Sequence, residues 1–447
     1  VGRHDEWRQL QAAWQRAQQR GAHCLLIWGE AGIGKTRLVE ELLDRVQRQG
    51  HVSASSRSYA VEGAFTYAPV AEWLRSPGIR PLLGSIDDLW RVELARLLPG
   101  LLADRPDLPP PGSMTEDWQR QRFFQSIVHA LPVTSGPLLL HLDDMQWSDA
   151  ETLTLLQFLL YGARSHPLLL IGGIRTEDAG DNQALASFVN ATRHAGQLDE
   201  LHLGPLSAPE TTELAAQTAG EQIGKDVAET LFSASEGHPL YLVEAVRSGL
   251  AVSLEKINVA PAISSDIVGV AAMPARIYNL LTTRLAQLSE TAQQVASMAA
   301  VIGRAFDYEI LQAAVSLDEM ALIDALDELW RRRIIRERTG DGYDFSHDRI
   351  REVAYQEISR ARRRFYHRRV AEALEMASKA DLDDIAGELA AHYAQAGDAS
   401  AAYRHYRRAA TIALAQYALR DAELMLDAAT LYIPDDPVQR LELLQQQ

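Results

Sequence analysis

Cysteine is nearly absent: Cys24 is the only one among 447 residues. A single thiol excludes an internal disulfide, which fits a reducing compartment and an expected cytoplasmic location. Long apolar runs are missing too. No stretch approaches the roughly 18 apolar residues of a membrane span, so neither a transmembrane helix nor a membrane partner is expected. The first residues show no signal-peptide pattern. Positive charge is in deficit, with 44 Lys and Arg against 60 Asp and Glu and a net charge of −16. Nucleic-acid surfaces are usually basic, so DNA contact through these residues is disfavoured. In other respects the composition is that of an ordinary globular protein. A chain of 447 residues is too long for one core, and roughly three or four domains are expected. It starts at Val1 and stops inside a helical pattern, so it reads as a piece of a longer protein.

One stretch organises the rest. Gly29-Glu30-Ala31-Gly32-Ile33-Gly34-Lys35-Thr36 fits the phosphate-loop pattern G-x-x-x-x-G-K-[ST] at every fixed position. The apolar run Cys24–Trp28 precedes it as a buried strand, and Leu38, Val39, Leu42, Leu43 and Val46 follow at helical spacing. Strand, glycine-rich turn and helix are the setting the motif requires. The glycines let successive N–H groups face inward on phosphate oxygens, at the positive end of the next helix. Lys35 would supply a mobile positive charge for the β- and γ-phosphates, and the Thr36 hydroxyl is placed to hold Mg²⁺. A tight turn without ligand is the alternative.

A second strand, Pro137 to Leu142, runs apolar into Asp143 and Asp144. An apolar strand ending in acids is what a parallel sheet presents beside a phosphate loop. Asp143 would hold Mg²⁺ through water and Asp144 would polarise the attacking water; two solvated turn residues are the alternative. Ser148 or Asp149 caps the helix that follows. A third apolar strand, Leu168–Ile174, ends in Arg175, which either touches the γ-phosphate or is a salt-bridged surface arginine. Strands at His51–Arg57 and Leu201–Leu203 complete a doubly wound α/β domain over residues 1–205.

Beyond Ser207 the pattern turns helical. A lid is expected over 206–268, with Pro239 just inside a helix start and a linker from Leu254 to Met273. Helices near 274–287, 290–301, 307–315 and 318–333 lead to a β-hairpin over Ile334–Ser346, which suggests a winged-helix domain at 269–365. Six arginines between Arg360 and Arg369 read as a solvated, salt-bridged helix face rather than a nucleic-acid site. From 366 to 447 paired helices rich in small residues and tyrosine recur at about one tetratricopeptide period.

These phrases resemble the STAND class of signal-transduction ATPases, relatives of AAA+ proteins, and more closely the ATPase core of large bacterial regulators of LuxR type or carrying a bacterial transcriptional activator domain. The resemblance rests on Val1-Gly2-Arg3 with Glu6, Gly29 to Leu43, Tyr67 to Leu74, Leu140 to Asp149, Gly237-His238-Pro239, and Phe345-Ser346-His347-Asp348 leading to Ala354-Tyr355. It implies that the backbone of Val1 to Arg3 contacts adenine and that Gly29 to Arg37, with Glu30, Ala31, Ile33 and Lys35 between, wraps the phosphates of ATP or ADP. Pro239 would pack on the base from the lid. His347 stands where the resistance proteins carry the histidine of Met-His-Asp, with Phe345 and Ser346 in place of the methionine. It would bond the β-phosphate of ADP, or simply cap or satisfy a neighbouring helix.

The implied function is an ATP/ADP switch with slow hydrolysis inside a transcriptional regulator, closed by ADP and opened by ATP or an inducer. Its partners would be other copies of itself, an inducer or protein on the C-terminal repeats, and DNA only through a domain outside these residues. An AAA+ machine that binds DNA, such as an origin-recognition or loader relative, is the alternative, as is a STAND core with a cyclase or kinase output. The Asp143-Asp144 pair favours a slow switch over a motor.

Overall fold

In a computed structural model of the protein, residues 2–59, 66–103, 105–114, 116–131, 136–164, 166–247, 275–338, 342–377, 382–383, 385–416 and 418–433 are described. Val1, the expected linker at Leu254 to Met273, and the hairpin tip at 339–341 lie outside them.

The N-terminal half alternates helices and strands: α1 (His4–Arg20), β1 (His23–Gly29), α2 (Lys35–Arg48), β2 (Val52–Arg57), α3 (Ala68–Arg75), α4 (Asp88–Leu94), α5 (Asp117–Ala130), β3 (Leu138–Asp143), α6 (Ala150–Gly162), β4 (Leu168–Arg175), α7 (Gln183–His194) and β5 (Leu198–His202). The five strands form one sheet in the order β2-β3-β4-β1-β5, and every pair is parallel. Every residue of β3 and β4 is buried, which is why both read as continuous apolar runs: helices cover the two faces. Leu26, Leu140 and Leu170 pack into one layer, and Leu25, Leu139 and Leu169 into the opposite one.

The strand order has a chemical consequence. β4 separates β1, which feeds the phosphate loop, from β3, which ends in the acids. At about 4.8 Å per strand step, the ends of β1 and β3 stand about 10 Å apart, with the tip of β4 between them. The register places Arg175 opposite Gly29. Adjacent glycines make room in β4. A Cβ at Gly172 would lie 2.7 Å from Met145 Sδ, and one at Gly173 2.7 Å from the Asp143 Oδ1.

Three helices follow: α8 (Ala208–Ala219), α9 (Lys225–Ser235) and α10 (Pro239–Arg247). Ser207 and Glu210 form a capping box at the start of α8, and Pro239 opens α10 as expected. The next group holds α11 (Ala275–Ala286), α12 (Glu290–Ile302), β6 (Ala305–Asp307), α13 (Tyr308–Ala314), α14 (Glu319–Arg331), β7 (Ile335–Glu337), β8 (Gly342–Phe345) and α15 (Asp348–Gln356). Its antiparallel sheet has the order β6-β8-β7, so the expected hairpin carries a third strand, β6. The C-terminal helices are α16 (Arg360–Ala377), α17 (Ala386–Ala396), α18 (Ala399–Ala415) and α19 (Leu419–Thr430), and they share one apolar core with that group.

The arginine run on α16 is a solvated face, with Arg360, Arg362, Arg364 and Arg368 exposed and Arg369 paired with Glu372 at 3.5 Å, but backbone carbonyls are acceptors there too. Arg363 donates to the carbonyls of Tyr355, Gln356 and Ile358, Arg364 to that of Ala396, and Arg369 to those of Ala313 and Ala314. These acceptors lie at or just beyond helix C-termini, where orphan carbonyls and the negative end of the helix dipole favour a cation.

Candidate nucleotide site

The carboxyl ends of the parallel strands open into a cavity of about 900 Å³ lined by the phosphate loop, the N-terminal segment, helices α8 and α10 and the start of α15. Gly32 and Gly34 turn the loop with φ of 84° and 104°, values that suit glycine. A Cβ at Gly32 would sit 2.7 Å from Leu240 Cδ2 and 3.1 Å from His238 Cε1, so the start of α10 rests directly on the loop. Around Gly34 nothing lies within 4 Å of where a Cβ would be, which leaves the loop open on its cavity side.

Lys35 is buried, and its Nζ donates to the carbonyls of Gly29 at 2.7 Å and Glu30 at 3.0 Å. Burial lowers its pKa, with Asp143 and Asp144 opposing the shift. The Thr36 hydroxyl donates to Asp143 Oδ2 at 2.9 Å. The two groups expected to hold Mg²⁺ are thus adjacent and supply hard oxygens, the donor type that ion prefers. Burial pushes the Asp143 carboxyl up, but the Arg57 guanidinium beside it more than compensates and holds it well below the usual range.

Asp144 is buried in a left-handed conformation with φ 53°, a geometry Asp tolerates better than most residues. Arg175 grips it with two bonds, Nε to Oδ1 at 2.7 Å and Nη2 to Oδ2 at 2.9 Å, and Arg57 Nε lies 3.4 Å from Oδ2. The same Arg175 Nη2 also bonds Asp348, the first residue of α15. Arg175 is therefore neither a surface arginine nor a free reader of phosphate: its fork joins the acid of β3 to the C-terminal half of the molecule. Arg304 Nη1 reaches the same Asp348 oxygen at 2.6 Å. Burial would raise the Asp348 carboxyl, yet Arg304 and Arg175 keep it well below its ordinary value. One step along, Glu177 accepts from the Ala31 N–H of the loop at 3.0 Å and pairs with Arg349 at 3.3 Å.

Arg3 stitches three parts together. Its N–H donates to Glu210 of α8 at 3.0 Å, and its guanidinium reaches the Ile33 carbonyl at 3.2 Å and Glu6 at 3.0 Å. Gly2, Arg3, Pro239 and His347 all line the cavity, as Ala31 to Arg37 do, whereas Gly29 and Glu30 are not among its lining residues. Arg37 turns its side chain to Glu41 at the surface, 3.3 Å away, and leaves only backbone for the loop. His347 is the N-cap residue of α15, but its side chain makes no cap hydrogen bond, which corrects the capping alternative. Burial first, then Arg304 and Arg247, bring its pKa down to about 3, so the ring is neutral at physiological pH and offers one donor and one acceptor. Asp149 caps α6 by accepting from Thr152 N, whereas Ser148 bonds Ser58.

Arg57, Glu177, Arg304, Asp348 and Arg349 were not singled out from the sequence. Only position pointed to two of them: Glu177 follows the tip of β4, and Asp348 adjoins His347. Among the described residues no group of three or more His, Cys, Asp or Glu could hold a metal by itself. A cation here would need oxygens from a ligand as well as Thr36 and Asp143.

Residues 1–171 match the family model of the AAA ATPase domain. An uncharacterized curated protein of Rhizobium meliloti is 26% identical over 435 residues, covering 89% of this chain and 39% of its own length. Among solved structures, the chain is similar to a signal-transduction ATPase with numerous domains (STAND) with a tetratricopeptide repeat sensor from Pyrococcus horikoshii. The TM-score is 0.54 at 16% identity, covering 97% of this chain and 59% of that one. The chain therefore spans well under half of the curated relative and about three-fifths of the solved one, and at this identity the likeness concerns fold alone. Cdc6p of Pyrobaculum aerophilum aligns at TM-score 0.32 and 14% identity over 79% of this chain and 93% of its own, too loosely to carry an argument. The N-terminal half is thus a parallel-sheet α/β core of the P-loop NTPase kind, with many helices appended.

Proposed function

We propose that this chain is an ATP/ADP-binding switch with slow hydrolysis, the core of a larger signalling protein. The observation that carries this reading is the Arg175 fork: one guanidinium holds both Asp144, the acid placed to polarise water, and Asp348 on the unit that closes over the cavity. Chemistry and closure then compete for the same group, as a bistable element requires. Support for ATP or ADP with Mg²⁺ comes from the AAA domain match, the phosphate loop and the Thr36–Asp143 pair. Bound Mg²⁺ would screen the phosphate charge. In this arrangement the chain's own residues cradle the phosphates with loop amides, bring up Lys35, and keep Asp144 occupied until α15 moves away.

The finer reading follows the divisions 1–205, 206–268, 269–365 and 366–447 as nucleotide-binding core, lid, winged helix and the start of tetratricopeptide-like repeats. The series α12-β6-α13-α14-β7-β8 supports the winged helix. Opened copies would assemble, an inducer would act on the C-terminal helices, and the output would be transcriptional, through a domain outside these residues in a cytoplasmic protein. A DNA-reading machine fits less well: α14, the helix that a winged helix would lay in the groove, exposes Glu319, Asp324 and Asp327.

Hydrogen exchange tests the switch. Amides of residues 348–356 and of the β4 tip should exchange more slowly with ADP than with a non-hydrolysable ATP analogue. Identical exchange with both nucleotides, each shown to be bound, would refute it.

A further inference from the structure

Two exposed helix faces remain that nothing in the nucleotide site uses, and their chemistry is opposite. On α14, Met320 is 66% exposed, Ile323 39% and Trp330 51%, and Asp324 and Asp327 stand between them. The spacing 320, 323–324, 327, 330 keeps these side chains on one stripe of the helix. The buried stripe, with Leu322, Ala325, Leu326 and Leu329, faces the core. Three large apolar groups left in water on one helix, rimmed by acids, have the make-up of a protein docking face rather than of an ordinary solvated surface. On α16, Phe365 is 54% exposed, with Arg362 and Arg368 exposed on either side and Glu372 further along. The buried side of α16 carries Tyr366, Val370, Ala373 and Leu374, so Phe365 is not part of the core.

We infer that α14 of one copy docks on α16 of a second copy, head to tail. Charge complementarity selects this occupant. Laid parallel with Phe365 on Ile323, Arg362 comes level with Met320 and within about 1.5 Å of rise of Glu319. Arg368 then falls between Asp324 and Asp327, and Glu372 lies one residue from the level of Arg331. The acid-rimmed face repels itself, as does the arginine-rimmed face, so a symmetric contact of like faces is disfavoured. A contact between two different patches is heterologous and extends into rings or open chains rather than stopping at a dimer. Two short helices bury little area, so association is weak and grows with concentration. Both faces are exposed with α15 docked, so the contact does not depend on nucleotide-driven opening. It adds to the proposed function the surface through which copies meet.

Sedimentation of the full chain with saturating ADP, over a concentration series reaching several hundred micromolar, tests this. The wild type should show mass-dependent association that weakens with salt. The double variants Asp324→Arg/Asp327→Arg and Arg362→Asp/Arg368→Asp should each lose it, with association at least tenfold weaker. Mixing the two restores opposite charges at both contacts, one wild-type and one reversed, so the mixture should associate again, with the two variants in equal amounts. A wild type that stays monomeric throughout overturns the inference, as does variant association equal to wild type or a mixture that stays monomeric. The hydrogen-exchange contrast between ADP and the ATP analogue involves neither face, so it can succeed or fail independently.

Discussion

Replacing Asp348 by Asn removes one negative charge from between two arginines while keeping the side chain's size and its fitness for the first turn of α15. The cost follows from what is left behind. Arg304 Nη1 lies 2.6 Å from Asp348 Oδ2, and Arg175 Nη2 bonds the same oxygen. Removing one partner of a buried pair costs about 3–5 kcal/mol, because the remaining charge stays buried and unpaired. Arg175 retains both bonds to Asp144, so the lower end, about 3 kcal/mol, applies. At about 1.4 kcal/mol per tenfold, docking of α15 should weaken by a factor on the order of a hundred. Release of a fluorescent ADP analogue, followed by stopped flow, should accelerate accordingly, and amides 348–356 should lose protection. Glu352→Gln is the control: its carboxylate stands 3.9 Å from Arg175, the amide oxygen can still accept from Arg349, 2.8 Å away, and 23% of the side chain is exposed, so an effect under about 1 kcal/mol is expected. Release and exchange within twofold of wild type in Asp348→Asn would show that Asp348 does not hold the unit down.

Lys35→Ala should abolish binding of ATP and ADP in calorimetry while leaving the melting temperature of the nucleotide-free protein within a few degrees; measurable affinity near wild type would contradict its role. Asp144→Asn should bind ATP but hydrolyse it at least a hundredfold more slowly; hydrolysis at the wild-type rate would remove Asp144 from the chemistry. Burial, then Asp421 of α19, pushes the Asp149 carboxyl up to about 7, with Glu151, Arg120 and Arg420 nearby. The folded protein therefore keeps a proton that the unfolded chain gives up near pH 4, and stability should fall as pH rises from about 4 to 7. Asp149→Asn retains the helix cap and should flatten that slope, with equal melting temperatures near pH 4 and a higher one than wild type at pH 8; parallel pH profiles would count against the carboxylate pair.

The core was legible where burial on two faces left continuous apolar runs. β1, β3 and β4 follow from Cys24–Trp28, Leu138–Leu142 and Leu168–Ile174 because a parallel sheet admits nothing else at those positions. The loop and its acids came with them, since Gly29–Thr36 and Asp143-Asp144 sit at strand ends. β6 was missed because Ala305-Phe306-Asp307 has a single buried residue and no period to detect. Arg57 was missed because its strand, Val-Ser-Ala-Ser-Ser-Arg, is polar, and its partner is the neighbouring strand's acid, a relation fixed only by register. Composition accounts for the solvated arginines of α16 and for the Arg369–Glu372 pair, but not for the helix-end carbonyls that Arg363, Arg364 and Arg369 also reach. Asp348 and Glu177 gain their meaning from residues some 170 positions away, a separation at which a periodicity signal carries nothing.

The hydroxyl of Thr66, just ahead of α3, donates to Asp421 on α19. That contact closes a circuit of contacts: β-sheet core to α8 by Arg3 and Glu210, α10 to α11 by the buried Glu244–Arg284 pair, then through the C-terminal helices back to the core. Around such a circuit strain at one joint is passed to the others. A molecule that prises α19 from Thr66 should therefore alter affinity at the phosphate loop, and nucleotide would then alter the affinity of that molecule by the same factor.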